Sequence, residues 1–110
     1  MICYHEKIRK QDIGGGIIVQ VLGQGQNMNV LHWNFAENSE EVKMHQHVEE
    51  QFGYVIKGGF TITIENEIFT IMAGDAYFIP SNVRHSFTAI GETEAIDVFS
   101  PVRKDIPWKE

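Results

Sequence analysis

The stretch KMHQHVEEQFGYVIKGG, residues 43–59, contains two histidines one residue apart, just before an apolar run. Side chains at positions i and i+2 of a β-strand point to the same face, about 7 Å apart along the backbone. In a strand, His45 and His47 would therefore project in the same direction. Two imidazole nitrogens on one face are suited to a single metal ion, so the segment predicts a metal site on a strand.

The rest of the chain has the same strand-like character. Short segments that alternate apolar and polar residues, such as IIVQVLG at 17–23 and FTITIENEIFTIM at 60–72, are separated by Gly, Asn and Pro. We find no stretch of ten or more residues with clean helical periodicity. Seven to nine short strands with frequent turns predict an all-β sandwich or barrel.

Length and charge limit what such a chain can do. Its 110 residues, 43% of them hydrophobic, predict a single domain with a core over 14–102 and a C-terminal tail at 103–110. The net charge of −6 and the lack of a Lys/Arg block argue against nucleic acid and membrane partners. The single cysteine, Cys3, excludes an internal disulfide, and no signal-peptide pattern opens the chain, so we expect a cytoplasmic protein.

Two motifs give the histidine pair its context. Gln51 and Gly58 follow it, and the segment AGDAYFIPSNVRHSF at 73–87 supplies His85. These segments resemble the cupin superfamily, whose first motif is HxHxxxE, six residues and Gly, and whose second is G, five residues and PxGxxH. The resemblance spans nearly the whole chain and implies a single-domain jelly-roll barrel, the double-stranded β-helix. Asn82 replaces a motif glycine, which is benign because Asn tolerates a left-handed turn.

The other departure from the motif is Gln51, which stands where the family has glutamate. Three imidazoles and an amide are all neutral, so a divalent ion would keep its full charge and act as a stronger Lewis acid. Glu49 or Glu50 is the alternative ligand, and the spacing to Gly58 favours Gln51. A donor set of this kind accepts zinc, nickel, manganese, iron or cobalt.

A narrower resemblance comes from both ends of the chain. The segments DIGGGI at 12–17 and IDVFSPVRKD at 96–105, with the HxHxxEQ-type motif, are similar to the KdgF-like cupins of pectin and alginate breakdown. That family opens 4,5-unsaturated uronate monosaccharides to linear 5-keto-4-deoxyuronate. The resemblance implies metal ligands at His45, His47, Gln51 and His85. It also implies catalytic roles beside the metal for Asp97, Phe99 and Arg103.

The residues themselves allow two interpretations of the last strand. Asp97 and Phe99 share one face, and Ile96 and Val98 share the other. If the first face lines the barrel, Asp97 is an enclosed carboxylate suited to acid/base chemistry. Otherwise Asp97 faces solvent and the aliphatic pair fills the core. Arg103 is suited to bidentate capture of a sugar carboxylate, although such an arginine is more often a surface charge.

Other functions and partners stay open at this stage. A metal-dependent dioxygenase, an isomerase for another sugar or keto acid, and a non-catalytic sugar-binding module fit the same motifs. We expect a small anionic sugar or keto acid as ligand, with Gly53 clearing room for a ring. A homodimer would use an apolar face rimmed by Phe52, Tyr54 and Phe60. Neither His5 nor His32 belongs to the motifs, so we expect His5 at the surface and no metal role for His32.

Overall fold

Ten strands follow one short 3₁₀ turn in residues 1–104, the part of the chain that the computed structural model describes. The turn is His5–Lys7, and the strands are β1 Gln11–Gly14, β2 Ile17–Gln24, β3 Asn29–Phe35, β4 Val42–His45, β5 Glu50–Lys57, β6 Gly59–Ile64, β7 Glu67–Met72, β8 Ala76–Ile79, β9 His85–Ala89 and β10 Thr93–Ser100. Most of the tail predicted at 103–110 lies outside the described residues. Within 1–104, no helix has the length and apolar character needed to span a membrane.

The strands form two antiparallel sheets, which confirms the all-β prediction. The larger sheet has six strands in the order β1-β2-β3-β10-β5-β8, and the smaller has four in the order β4-β9-β6-β7. All neighbouring strands in both sheets are antiparallel. The last described strand, β10, lies between β3 and β5, in the middle of the larger sheet. This is the predicted jelly-roll arrangement.

The inner faces of the sheets form the core. In β10 every second residue is buried, including Asp97 and Phe99, whereas Ile96 and Val98 are partly exposed. The strand therefore does not place the aliphatic pair in the core. The largest fully buried apolar side chains are Phe60, Phe99, Leu31, Ile62, Ile79, Val19 and Val55. Burying each such side chain stabilises the fold by about 1.5–3 kcal/mol.

Two turns of the motif segments have left-handed backbone conformations. Gly58 has φ of +75°, and a Cβ there would lie 2.2 Å from the Glu92 carbonyl oxygen, so only glycine fits. Asn82 has φ of 61°, as its place in the motif predicted. The Asn82 backbone N–H donates to the His47 carbonyl at 2.8 Å. This bond joins the loop before β5, which contains His47, to the loop before β9, which leads directly into His85.

One predicted surface residue is in the core. Phe52 and Tyr54 are each 44% exposed, as expected, but Phe60 is only 2% exposed. Phe60 packs edge-on against Phe35 and also against Phe87, with ring centroids 5.1 and 5.5 Å away. The prediction that Phe60 rims an exposed face is therefore wrong, because the turn at Gly58 separates β5 from β6 and breaks the alternation between them.

Candidate metal and substrate site

Three histidines from two parts of the chain converge beside strands β4 and β9 of the smaller sheet. His45 ends β4 and His85 begins β9, and the two residues are paired directly across these strands. His47 lies in the loop that leads to β5. The three ring centroids are between 4.3 and 5.5 Å apart. One ligand nitrogen from each ring lies within 4.8 Å of the others, so the three side chains could hold a metal ion.

Backbone carbonyls fix the tautomer of all three rings. The Nδ1 atoms of His45, His47 and His85 lie 2.7, 2.9 and 2.8 Å from the carbonyl oxygens of Lys43, Glu49 and Val83, respectively. Because a carbonyl oxygen only accepts, each Nδ1 carries the hydrogen, and Nε2 of the neutral ring carries the lone pair. Metal-binding histidines are commonly oriented by such a hydrogen bond from the second ring nitrogen.

His85 is held in its neutral form by burial. The residue is completely buried, and its Nε2 has no hydrogen-bond partner among residues 1–104. Desolvation lowers the pKa of the ring from 6.5 to about 4; the Val83 carbonyl opposes this, and His45 and His47 add to the lowering. A neutral imidazole with an unsatisfied buried lone pair is the state that a metal ion requires of a histidine ligand.

Gln51 joins the histidines to a buried carboxylate. Its Nε2 donates to Asp97 Oδ2 at 3.1 Å, and its Oε1 lies 3.2 Å from His47 Nε2. The amide oxygen therefore faces the histidine cluster. Of the two alternatives, Glu49 approaches His47 at the opposite edge of the ring, with its Oε1 3.6 Å from Nδ1. Glu50 is exposed.

Asp97 is the only acidic side chain of the described residues that is classed as buried, and it is 5% exposed. Its Oδ1 accepts a hydrogen bond from the Tyr77 hydroxyl at 2.5 Å. Burial raises the pKa of Asp97 from 3.8 to about 6, and the hydrogen bonds from Tyr77 and Gln51 and the charge of Arg103 oppose that rise. The pKa of Tyr77 is also raised, first by burial and second by the neighbouring Asp97. A buried carboxyl group with a raised pKa is typical of acid/base sites.

Gly53 makes room for the ring of Tyr77, and not for a substrate ring as the sequence analysis expected. A Cβ at Gly53 would lie 2.0 Å from Tyr77 Cζ. The two residues are directly opposite each other on β5 and β8, and Gly53 is also opposite Asp97 on β10. The glycine lets the tyrosine ring lie across β5 and reach the carboxylate. Sequence reasoning missed Tyr77, although its place two residues before the buried Ile79 put it on the inner face.

The Phe99 ring lies in contact with both His47 and Arg103. Phe99 is completely buried and packs edge-on against His47, with ring centroids 5.7 Å apart and an interplanar angle of 71°. The Arg103 guanidinium carbon lies 5.0 Å from the Phe99 ring centroid. Asn29 fixes the Arg103 backbone, because its amide exchanges hydrogen bonds of 3.1 and 3.0 Å with the carbonyl and N–H of Arg103. Arg103 is thus attached to β3, although the sequence assigned it to the tail.

A cavity of about 610 Å³ lies beside the histidines. This volume is in the usual range for small-molecule sites. The predicted residues His45, Gln51, Asp97 and Arg103 line it, together with Trp33 and Tyr77. Phe99 is not among the lining residues. Trp33 was also missed, since nothing in the pattern of β3 says which of its residues face a cavity.

The other two histidines lie apart from this site. His5 is exposed in the N-terminal 3₁₀ turn. His32 Nε2 lies 2.6 Å from Glu94 on the neighbouring strand. The exposure of His5 confirms its predicted place at the surface, and neither residue is in the metal-ligand cluster found among the described residues.

Comparison with known proteins gives the site its family context. The family description "Cupin domain" matches residues 31–99. The chain is 28% identical over 96 residues to the pectin degradation protein KdgF of Dickeya dadantii (strain 3937), covering 86% of this chain and 87% of that protein.

Two solved structures are similar over almost their full length. KdgF from Halomonas sp. has 27% sequence identity and a TM-score of 0.86, with 96% of each chain covered. An RmlC-like cupin from Shewanella frigidimarina NCIMB 400 has 31% identity and a TM-score of 0.87, covering 94% of this chain and 93% of that chain.

Proposed function

The chain belongs to the cupin family, and on this premise we propose that it is a metal-dependent enzyme that opens 4,5-unsaturated uronate monosaccharides to linear 5-keto-4-deoxyuronate. The similarity to two KdgF proteins over nearly the whole chain supports this reaction. The observation that carries the proposal is the position of Asp97. This buried carboxylate lines the cavity and is hydrogen-bonded to Gln51, which in turn faces the histidine cluster.

The metal would be held by His45, His47 and His85 through Nε2 and by Gln51 through Oε1. Two observations support this ligand set. The Nε2 atom of His85 has no hydrogen-bond partner among the described residues. His47 Nε2 and Gln51 Oε1 lie 3.2 Å apart, and one cation could accept a lone pair from each of them. When bound, an ion with four neutral ligands supplies Lewis-acid polarisation of a substrate oxygen. Zinc, nickel, manganese, iron and cobalt all accept nitrogen and amide oxygen donors.

Ring opening is an isomerisation that moves one proton. The C1 hydroxyl loses its hydrogen, the bond between C1 and the ring oxygen breaks, the ring oxygen becomes the C5 ketone, and C4 gains a hydrogen. Asp97 would take the hydroxyl proton and return it, because its pKa of about 6 makes both protonation states accessible near neutral pH. Tyr77 and Gln51 would hold the carboxylate in place through their hydrogen bonds.

Arg103 would bind the carboxylate of the uronate. Its guanidinium lies over Phe99 and lines the cavity. An arginine fork matches a carboxylate with two parallel hydrogen bonds, which fixes the orientation of the sugar as well as its position. Phe99 would act indirectly, by packing against both His47 and Arg103.

The test is the decay of the conjugated double-bond absorbance with unsaturated galacturonate- and mannuronate-derived monomers. The wild type should consume one of these substrates, and Asp97→Asn should lose turnover while keeping its metal. Glu92→Gln is the matched control, because Glu92 is exposed and pairs only loosely with Lys57 at 3.5 Å. Equal turnover of Asp97→Asn and the wild type would exclude the catalytic role of Asp97.

The same reactions separate the alternative functions. Oxygen consumption during substrate screening would identify a dioxygenase, and saturable binding without turnover would identify a sugar-binding module. Turnover of another sugar or keto acid with no oxygen uptake would identify a different isomerase.

We place the reaction in the cytoplasm, which suits a chain with one exposed cysteine and no disulfide.

We also propose a homodimer through the outer face of β5 and β8. Phe52 and Phe78 are directly paired there, and Phe52, Tyr54 and Phe78 are 44, 44 and 53% exposed. Neighbouring exposed aromatic side chains mark an interaction surface. Light scattering should give twice the monomer mass for the wild type and the monomer mass for Phe52→Asp. A monomeric wild type would exclude the dimer.

A further inference from the structure

We propose that the indole N–H of Trp33 binds the oxygen of the substrate hydroxyl whose proton Asp97 takes, so that Trp33 is a specificity-determining residue of this site. The inference deepens the proposed function and depends on it. It assigns the two ends of the substrate: a neutral hydroxyl lies between Trp33 and Asp97, and the carboxylate lies at Arg103.

The position of Trp33 brings its ring to the cavity. Trp33 is on β3, directly opposite Ala95 of β10, and Leu31 is directly opposite Asp97. Trp33 and Asp97 are therefore diagonal neighbours on one face of the sheet, a separation that an aromatic side chain spans. Ala95 offers only a methyl group at the position in between. Both Trp33 and Asp97 line the cavity.

The Trp33 N–H is buried and unsatisfied. Its Nε1 has no hydrogen-bond partner in residues 1–104. The N–H is close enough to Asp97 to help lower the pKa of that carboxyl group, but it does not complete a hydrogen bond with it. A buried donor without a partner is unfavourable, and because Trp33 is one of the residues that line the cavity, a ligand bound there can supply the missing acceptor.

The pairing of Trp33 with Asp97 defines the group that fits between them. The indole is only a donor, and an ionised carboxylate is only an acceptor with about four lone-pair positions. Tyr77 and Gln51 each occupy one position of Asp97, which leaves others for the substrate. A hydroxyl satisfies both neighbours because it accepts from the indole and donates to the carboxylate. A second carboxylate there would be repelled by Asp97.

The test compares Trp33→Phe with the wild type, because phenylalanine keeps an aromatic ring against Phe35 and removes the donor. We expect kcat/KM for the uronate to fall by about 10–100-fold. The inhibition constant of the 1-deoxy unsaturated uronate, which lacks the hydroxyl and cannot open, should stay the same in both proteins. Equal losses for substrate and deoxy analogue would mean that Trp33 only shapes the cavity, and unchanged kcat/KM would overturn the proposal.

A spectroscopic readout does not depend on turnover. The chain has two tryptophans, and the Trp33→Phe variant identifies the Trp33 indole signal in a proton–nitrogen spectrum. Galacturonate should shift this signal downfield, and its 1-deoxy analogue should not. If the wild type turns over neither uronate, the ring-opening proposal fails, and this pair of titrations still decides the hydroxyl assignment. Equal shifts with both ligands, or binding of galacturonate with no shift, would overturn it.

Discussion

His47 Nε2 and Gln51 Oε1 lie 3.2 Å apart, and both atoms are acceptors when the neutral His47 ring carries its hydrogen on Nδ1. The hydrogen of His47 is on Nδ1, where it is donated to the Glu49 carbonyl. The amide hydrogens of Gln51 are on Nε2, which donates to Asp97. Two acceptors in contact repel each other unless a cation lies between them or beside them. This relationship links the metal ligands to the residue proposed to carry the proton.

Replacing Gln51 tests that link. Gln51→Leu removes one donor and leaves the histidines in place, so metal affinity should fall by about 10–100-fold. Competition with a chelator of known affinity measures the change. Glu50→Gln is the neighbouring control, because Glu50 is exposed and should leave affinity unchanged. A large loss in the Glu50 variant and none in the Gln51 variant would instead assign the fourth ligand to Glu50.

The pH dependence of stability has opposite contributions from two buried groups. The folded-state pKa of Asp97 is raised to about 6, so its contribution is most favourable at low pH and is lost as the pH rises through 6. The folded-state pKa of His85 is lowered to about 4, so stability is lost as the pH falls from 6.5 towards 4. Each effect is at most about 3 kcal/mol, at 1.36 kcal/mol per pKa unit.

We predict that metal-free Asp97→Asn is more stable than the metal-free wild type above pH 6, and that its advantage disappears as the pH approaches 4. Without Asp97, the contribution of His85 is no longer opposed by that of Asp97. The free energy of unfolding of the variant should therefore fall more steeply on acidification than that of the wild type. Urea unfolding after chelator treatment, repeated across this pH range, gives both curves. A difference between the proteins that is constant with pH would contradict the raised pKa of Asp97.

Tyr77→Phe should shift the pH dependence of turnover. The Tyr77 hydroxyl donates to Asp97 and lowers the pKa of that carboxylate, so its removal should raise this pKa further above 6. If Asp97 acts as the base, the acid limb of kcat/KM then moves to higher pH. Tyr54→Phe is the control, because Tyr54 is half-exposed on the opposite face of β5. If the acid limb of kcat/KM lies at the same pH in the wild type and in both variants, Tyr77 does not influence the pKa of the catalytic base.

Gly53→Ala should destabilise the fold by about 1–3 kcal/mol, as expected for overpacking in a core. The new methyl would lie 2.0 Å from the Tyr77 ring, which must then move away from Asp97. Gly23→Ala is a matched control on β2, because a Cβ there meets nothing within 4 Å. Chemical denaturation of both variants makes the comparison. Equal free energies of unfolding for the Gly53→Ala and Gly23→Ala variants would show that the Tyr77 ring can move away from Gly53 without destabilising the fold.

The motif spacing and the strand alternation predicted much of the fold and the cluster. The resemblance to the two cupin motifs led to His45, His47, Gln51 and His85, because each motif keeps its residues at fixed positions within a short segment. Alternation put Asp97 and Phe99 on one face of the last strand but left open which face is buried, and the structure shows that the Asp97 face is. These are local properties of the chain, and local periodicity is the strongest signal that a single sequence offers.

What the sequence did not predict depends on pairing between distant segments. Tyr77 reaches Asp97 because β8 and β10 both border β5 in one register, which no local pattern specifies. Trp33 faces the cavity because β3 pairs with β10, more than 60 positions further along the chain. The misplacement of Phe60 has a local origin, since alternation does not continue through the left-handed turn at Gly58.

The most direct measurement is elemental analysis of the purified protein, alone and after incubation with each candidate transition metal, beside the double variant His47→Ala and Gln51→Leu. We predict one bound ion per chain in the wild type and almost none in the variant, with uronate ring opening restored to chelator-treated wild type by the same ion. A wild type that takes up no transition metal from any of these solutions, or a double variant that retains a full equivalent, would contradict the account.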